Sequence, residues 1–255
     1  MILFVFEGAA REPRIFRTLQ RLFFGEGEAT FCSFGNNIYE LFRQLKELDG
    51  DGDIVSILKE NKAVLPPGAK ASDFSEIYLF FDYDFQNINL SIEDMNKRLA
   101  EMLEVFCNET ENGKLYVSYP MVESLCYTKE LPDAHFSEYI VSRSECMKCS
   151  FKDLARIFSS YNSFNFIELS DLRHHKTGEK EIQKVRKNWL YLVQQHSSKA
   201  NYICNDCNDK PGYKEDISQR RIFEAQCSKY LCNNESIAIL SSFPLFLFDY
   251  FKELK

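Results

Sequence analysis

Apolar positions come in short runs near the start of the chain and in helical spacing between them. Residues 2–6, "ILFVF", form a β-type run that stops at Glu7-Gly8. From about Pro13, Ile15, Leu19, Leu22 and Phe23 recur at helical spacing. Pro13 suits a first helical turn. Residues 29–34, "ATFCSF", read as a second strand and "NIYELFRQLKEL" as a second helix. An acidic, Pro-containing stretch over 49–73 separates these from a third strand at 76–81. "SIEDMNKRLAEMLEVF" then predicts a helix, with Ser91 as its N-cap and acids in its first turn. "KLYVSY", residues 114–119, is a fourth strand. Strands alternating with helices predict an α/β core with a mostly parallel sheet. The nearly continuous apolar runs predict strands covered on both faces.

After about residue 128 the pattern changes. Helical spacing dominates 151–160, 179–196 and 217–231, and residues 237–251, "IAILSSFPLFLFDYF", are strongly apolar. The expected organisation is a core over 1–128 and a mostly helical C-terminal region over 129–255. No internal repeat or low-complexity tract is visible.

Composition narrows the class. Hydrophobic residues are 45% and charged residues 27% of the 255-residue chain, as in ordinary globular proteins. Only 10 Gly and 7 Pro argue against a turn-rich all-β fold. The net charge of -7 argues against a nonspecific DNA-binding module, though not against an enzyme that grips nucleic acid locally. "MILFVF" is too short for a secretory signal, and no run approaches the ~18 apolar residues of a membrane span. A cytoplasmic protein with reduced thiols is expected.

The chemistry concentrates at strand ends. "IYLFFDYD", residues 77–84, runs five apolar or aromatic residues into Asp82 and Asp84. In extended backbone these two acids face the same side. Glu7 ends the first strand, and Glu123 lies just beyond the fourth. Ligands in open parallel sheets sit beyond the carboxyl ends of strands. Such acids repel one another unless cations neutralise them, and hard oxygen ligands suit Mg²⁺ or Mn²⁺.

The order of these pieces resembles the Toprim domain of topoisomerases, primases and overcoming-lysogenization-defect nucleases. "FVFEG" carries Glu7 and Gly8, and "LFFDYD" carries Asp82 and Asp84. Glu12 is similar to a second acid that follows Glu-Gly in the nuclease branch, one residue later than usual. "YPMVES" and "SFPLFLFDYF" resemble small Toprim-like proteins of bacterial defence loci, among them the nuclease that partners an ATPase in PARIS anti-phage systems. The resemblance covers about the first half of the chain and implies a Toprim-like, Rossmannoid core. It implies Mg²⁺- or Mn²⁺-dependent cleavage of DNA or RNA. Asp82 and Asp84 would be metal ligands, with Glu7, Glu123 and Glu12 completing the set. It also implies a toxin-like effector restrained by a partner ATPase. The alternative is a non-catalytic module of the same fold that binds a nucleotide or a partner.

Other signals are weaker. Cys146 and Cys149 in "CMKC", with Cys204 and Cys207 in "CNDC", offer four thiolates for structural Zn²⁺. Their separation is much longer than that of a compact zinc ribbon. Five further Cys are scattered along the chain, which fits use as a small apolar residue. "DGDGD" at 49–53 imitates a calcium loop, but Ile54 stands where the turn needs Gly. Lys180, Lys184 and Lys187 share a helical face behind His174 and His175. With Arg173, Arg220 and Arg221 they form one candidate phosphate-binding patch, and Arg14, Arg17 and Arg21 form another. The apolar tail reads as core, with a dimer or partner surface as the alternative.

Overall fold

A computed structural model of the chain describes residues 1–48, 53–87, 89–161, 163–170 and 178–251. The chain forms two compact units. One comprises residues 1–81 and 101–116, the other residues 82–100 and 117–255.

The first unit is built on a sheet. Strand β1 (Ile2–Phe6) leads through helix α1 (Arg11–Phe23) to β2 (Ala29–Ser33). Helices α2 (Ile38–Glu47) and α3 (Ile54–Glu60) follow, then β3 (Glu76–Asp82). Helix α4 (Ile92–Val105), whose residues up to 100 belong to the second unit, precedes the short β4 (Cys107–Asn108) and β5 (Gly113–Ser118). The strand order is β2-β1-β3-β5-β4. β1 pairs in parallel with β2 on one side and β3 on the other, with Phe6 opposite both Ser33 and Phe80. The two-residue β4 runs antiparallel to β5. This is the expected α/β architecture with a mostly parallel sheet.

β1 is buried at every position, so both its faces are covered. Phe4 and Phe6 point to one face and pack on Phe16 of α1, with ring centroids 4.5 and 5.7 Å away. Phe80 of β3 lies 5.8 Å from Phe4 and 5.6 Å from Phe6, and stacks on Tyr116 of β5 at 5.5 Å. Leu3 and Val5 alternate to the other face and are fully buried. One ring cluster thus spans three neighbouring strands. Such pairs add stabilisation beyond area burial.

Capping explains several helix starts. Asn37 accepts from the Glu40 amide at 3.1 Å, Asp53 from Ser56 at 3.0 Å and Ser91 from Asp94 at 3.0 Å. Asp53 is therefore the cap of α3, a helix the acidic stretch did not suggest. The rest of "DGDG", residues 49–52, lies outside the described residues.

The second unit is mostly helical. It contains β6 (Ile140–Ser142), α5 (Arg143–Lys148), α6 (Phe151–Phe158) and the long α7 (Glu179–Asn205). α8 (Gln219–Gln226) continues through a wider π-helical turn at Cys227–Leu231 into α9 (Cys232–Asn234). β7 (Ser236–Ala238) and α10 (Ser242–Tyr250) complete it. β6 and β7 form a two-stranded antiparallel sheet that three-residue segments could not announce by periodicity. The boundary expected near 128 falls inside this unit. Phe243 to Leu247 of the apolar tail are buried in it as core. Among the described residues, no helix is long and apolar enough to cross a membrane.

α7 anchors the unit. Trp189 is fully buried and its indole Nε1 donates to the Ile167 carbonyl at 2.8 Å. His196, also fully buried, accepts from the Ser241 amide through Nδ1 at 3.0 Å. Its ring packs 4.5 Å from that of Phe136. Burial, aided by the neighbouring Lys199, holds its pKa well below the usual imidazole value. Lys199 is buried too and donates to the Tyr139 carbonyl.

Two outcomes follow from this packing. Phe80→Ala removes a ring shared by three strands and should cost about 3–5 kcal/mol in urea unfolding. His196 stays neutral when folded but takes a proton when unfolded below pH ~6.5. Its share of stability is therefore complete above that value and falls as pH drops, by at most ~1.4 kcal/mol per unit. His196→Gln should flatten this acid limb in pH-dependent unfolding while lowering stability at pH 8.

Candidate functional site

The strand order decides where a ligand belongs. From β1 the chain moves outward to β2 and then crosses back to β3 on the opposite side. The connections diverge at the carboxyl ends of β1 and β3, the switch point where open α/β sheets place their ligands. Glu7 is the residue after β1, and Asp82 closes β3.

Glu7 is fixed through its backbone. Its amide donates to the Phe80 carbonyl at 3.2 Å, and its carbonyl accepts from Gly35 at 3.2 Å. Its side chain is half-buried. Glu12, in the first turn of α1, folds its carboxylate back to accept from the Gly8 amide at 3.3 Å. A Cβ at position 8 would lie 2.6 Å from that carboxylate. The glycine after Glu7 thus leaves room for Glu12 to satisfy the turn. Placed at a helix N-terminus, the Glu12 charge also faces the positive end of the helix dipole.

Asp82 and Asp84 lie on either side of a rigid anchor. Tyr83 is buried, its amide donates to the Ser118 carbonyl at 3.0 Å, and its hydroxyl donates to Asn96 Oδ1 at 2.6 Å. The next residue, Asp84, has φ of 56°, in the left-handed region. Non-glycine residues adopt it at a cost, although Asp tolerates it better than most. A turn holds it there: the Asn87 amide donates to the Asp84 carbonyl, and Asn87 Nδ2 donates to Asp84 Oδ2, both at 2.9 Å. Burial raises the Asp84 pKa above the ordinary carboxylate value, with the Asn87 hydrogen bond opposing it. The left-handed backbone breaks the extended geometry that the alternation of Asp82 and Asp84 assumed.

Glu123 sits in a short 3₁₀ turn, Val122–Cys126, and is buried. The Ser124 hydroxyl donates to the Tyr119 carbonyl at 2.7 Å and ties this turn to the end of β5.

The donors are hard oxygens, the chemistry Mg²⁺ and Mn²⁺ prefer. Among the described residues, however, no three His, Cys, Asp or Glu side chains converge closely enough to hold an ion. This includes the four CxxC thiols. Cys146 is pushed up to about 12 by burial and then by Glu145, and Cys204 to about 11 by burial.

The candidate basic residues lie at the surface. Arg14 and Arg17 are exposed on α1, and the Arg17 guanidinium sits 5.2 Å from the Phe31 ring. Lys180, Lys184 and Lys187 are exposed on α7, with Lys187 Nζ 5.5 Å from the Tyr191 ring. Arg220 pairs with Glu224 at 2.9 Å, and Arg221 donates to Asn205 at 2.7 Å. Arg173, His174 and His175 lie outside the described residues.

Sequence reasoning passed over Tyr83 and Asn87, which position Asp84. Their signal was present, since a Tyr between two acids and an Asn three residues on is turn chemistry. No family model, curated protein or solved structure matches the chain. The fold itself defines the class: an α/β protein on a mostly parallel five-stranded sheet.

A buried carboxyl with a raised pKa opposes folding when ionised. The cost of ionised Asp84 is absent below its unfolded pKa of ~3.9 and grows as pH rises through its folded value. Asp84→Asn should therefore raise the Tm at pH 7, and the gain should vanish on approaching pH 4, as followed by thermal unfolding.

Proposed function

We propose that the chain is a metal-dependent nuclease that cleaves phosphodiester bonds in DNA or RNA, on a Toprim-like core. The observation that carries this reading is Asp84. Its half-buried carboxyl has a raised pKa and a left-handed backbone, and it follows the carboxyl end of a strand at the sheet's switch point. Strain and desolvation held in place by a dedicated turn are characteristic of functional positions.

In this reading Asp82 and Asp84 would hold Mg²⁺ or Mn²⁺, with Glu7 and Glu123 as further oxygen donors. Glu12 keeps the Glu7-Gly8 turn in shape through the Gly8 amide. Tyr83 and Asn87 fix the direction of Asp84. Such ions, once bound by these residues, would supply positive charge for the attacking and leaving oxygens of a phosphodiester. The exposed cations Arg14, Arg17, Lys180, Lys184 and Lys187 attract the phosphate backbone. An unrestrained nuclease endangers its host, and a partner ATPase in a defence complex would supply the restraint. The second reading, a non-catalytic module, is favoured by one observation: among the described residues, no three acids converge to hold an ion.

Cleavage of plasmid DNA and total RNA with Mg²⁺ or Mn²⁺ separates the two. Wild type should cut, and Asp82→Asn and Glu7→Gln should each lose activity by ~10²-fold or more. Titration calorimetry with Mn²⁺ should show binding that Asp82→Asn removes. A wild type that neither cuts nor binds Mn²⁺ establishes the non-catalytic reading.

A further inference from the structure

The second unit carries a groove of about 670 Å³ where α7, residues 210–215 and the end of α10 meet. That volume is in the range of small-ligand sites. Its walls join aromatic rings and ammonium groups. Tyr213 presents its ring with 74% exposure, and Phe248 and Tyr250 of α10 are partly open. Lys210 Nζ lies 5.6 Å from the Phe248 ring and has no carboxylate partner among the described residues. Lys214 Nζ is 3.4 Å from Asp249 Oδ1.

Open aromatic faces accept flat rings, which stack on them with little dependence on ring identity. An ammonium without a carboxylate beside those faces accepts an anion. A paired carboxylate at the same rim accepts hydroxyl donors. Flat ring, hydroxylated link and anion together describe a nucleotide.

We propose that this groove binds a nucleotide, with the base on the exposed Tyr213 ring and the phosphate at Lys210. The same base-and-phosphate chemistry comes from a free nucleotide or from an unpaired nucleotide of a strand. The proposal does not depend on the nuclease reading, because the groove shares no residue with the acidic strand ends.

The test uses the full chain in EDTA, so that no cleavage intervenes. Adenosine monophosphate is titrated calorimetrically, and a fluorescent single-stranded 12-mer is titrated by anisotropy. Wild type is compared with Lys210→Ala and Tyr213→Ala, both at exposed positions, with circular dichroism confirming the fold. Tyr213→Ala should weaken binding by about 5- to 100-fold. Lys210→Ala should weaken it and reduce the salt dependence by about one phosphate contact. Binding of the monophosphate identifies a free nucleotide, and binding of the 12-mer alone identifies a strand. Asp82→Asn should bind as wild type does, whatever its cleavage activity. Failure of both probes to bind at millimolar concentration, or binding that survives either groove substitution unchanged, overturns the proposal.

Discussion

The constraint on which the first unit depends is the burial of β1 on both faces. A strand in that position has no water for its amides or carbonyls, so it must pair on both edges. β1 does so in parallel with β2 and β3. Parallel neighbours require crossover connections, which α1 and the α2–α3 pair supply. Diverging crossovers create the switch point at the ends of β1 and β3. The aromatic cluster of Phe4, Phe6, Phe16 and Phe80 is the energetic side of the same constraint, because those rings fill the space the crossovers enclose.

The second unit is organised by another rule: polar groups taken into a core need partners. Asp133 shows it. Its carboxylate accepts from the Lys129 and His135 amides, the Thr128 hydroxyl and the Tyr139 hydroxyl. The buried His196 and Lys199 on α7 meet a backbone amide and a backbone carbonyl in the same unit. The Asp133 carboxylate, with its partners met, specifies one arrangement more sharply than apolar packing does, whereas His196 Nε2 is buried without a hydrogen-bond partner. The unit is also sensitive to pH, because neither side chain on α7 is easily charged where it lies.

At the acidic strand ends, rigidity and strain are placed together. Tyr83 is pinned by β5 and by Asn96, and Asp84 is turned into an unfavourable backbone region directly after it. A free loop would relax to a cheaper geometry. That it does not is a consequence of the Asn87 turn and the buried residues on either side. The aromatic groove in the second unit is the opposite case, with rings left open that the core could have absorbed.

The strands β1, β2, β3 and β5, and most helices, were legible in the order of residues. Apolar runs and helical spacing record burial directly, and caps such as Ser91 record helix starts. The acids Glu7, Asp82 and Asp84 were legible for the same reason, since each follows an apolar run that can only be a buried strand. α3 was hidden, although Asp53 and the spacing of Ile54, Ile57 and Leu58 carried its signal, because acidic and Pro-rich neighbours masked seven residues. β6 and β7 were not legible at all, because three residues have no period and their pairing joins segments almost a hundred positions apart. The turn at Asp84 and the Glu12–Gly8 contact are closed by residues three and four positions away, whereas the partners of the buried His196 and Lys199 were decided by tertiary structure alone. Local sequence sets which residues prefer to be buried or extended. Which distant backbone group a buried side chain meets, and so its charge and strain, is set only when the chain closes on itself.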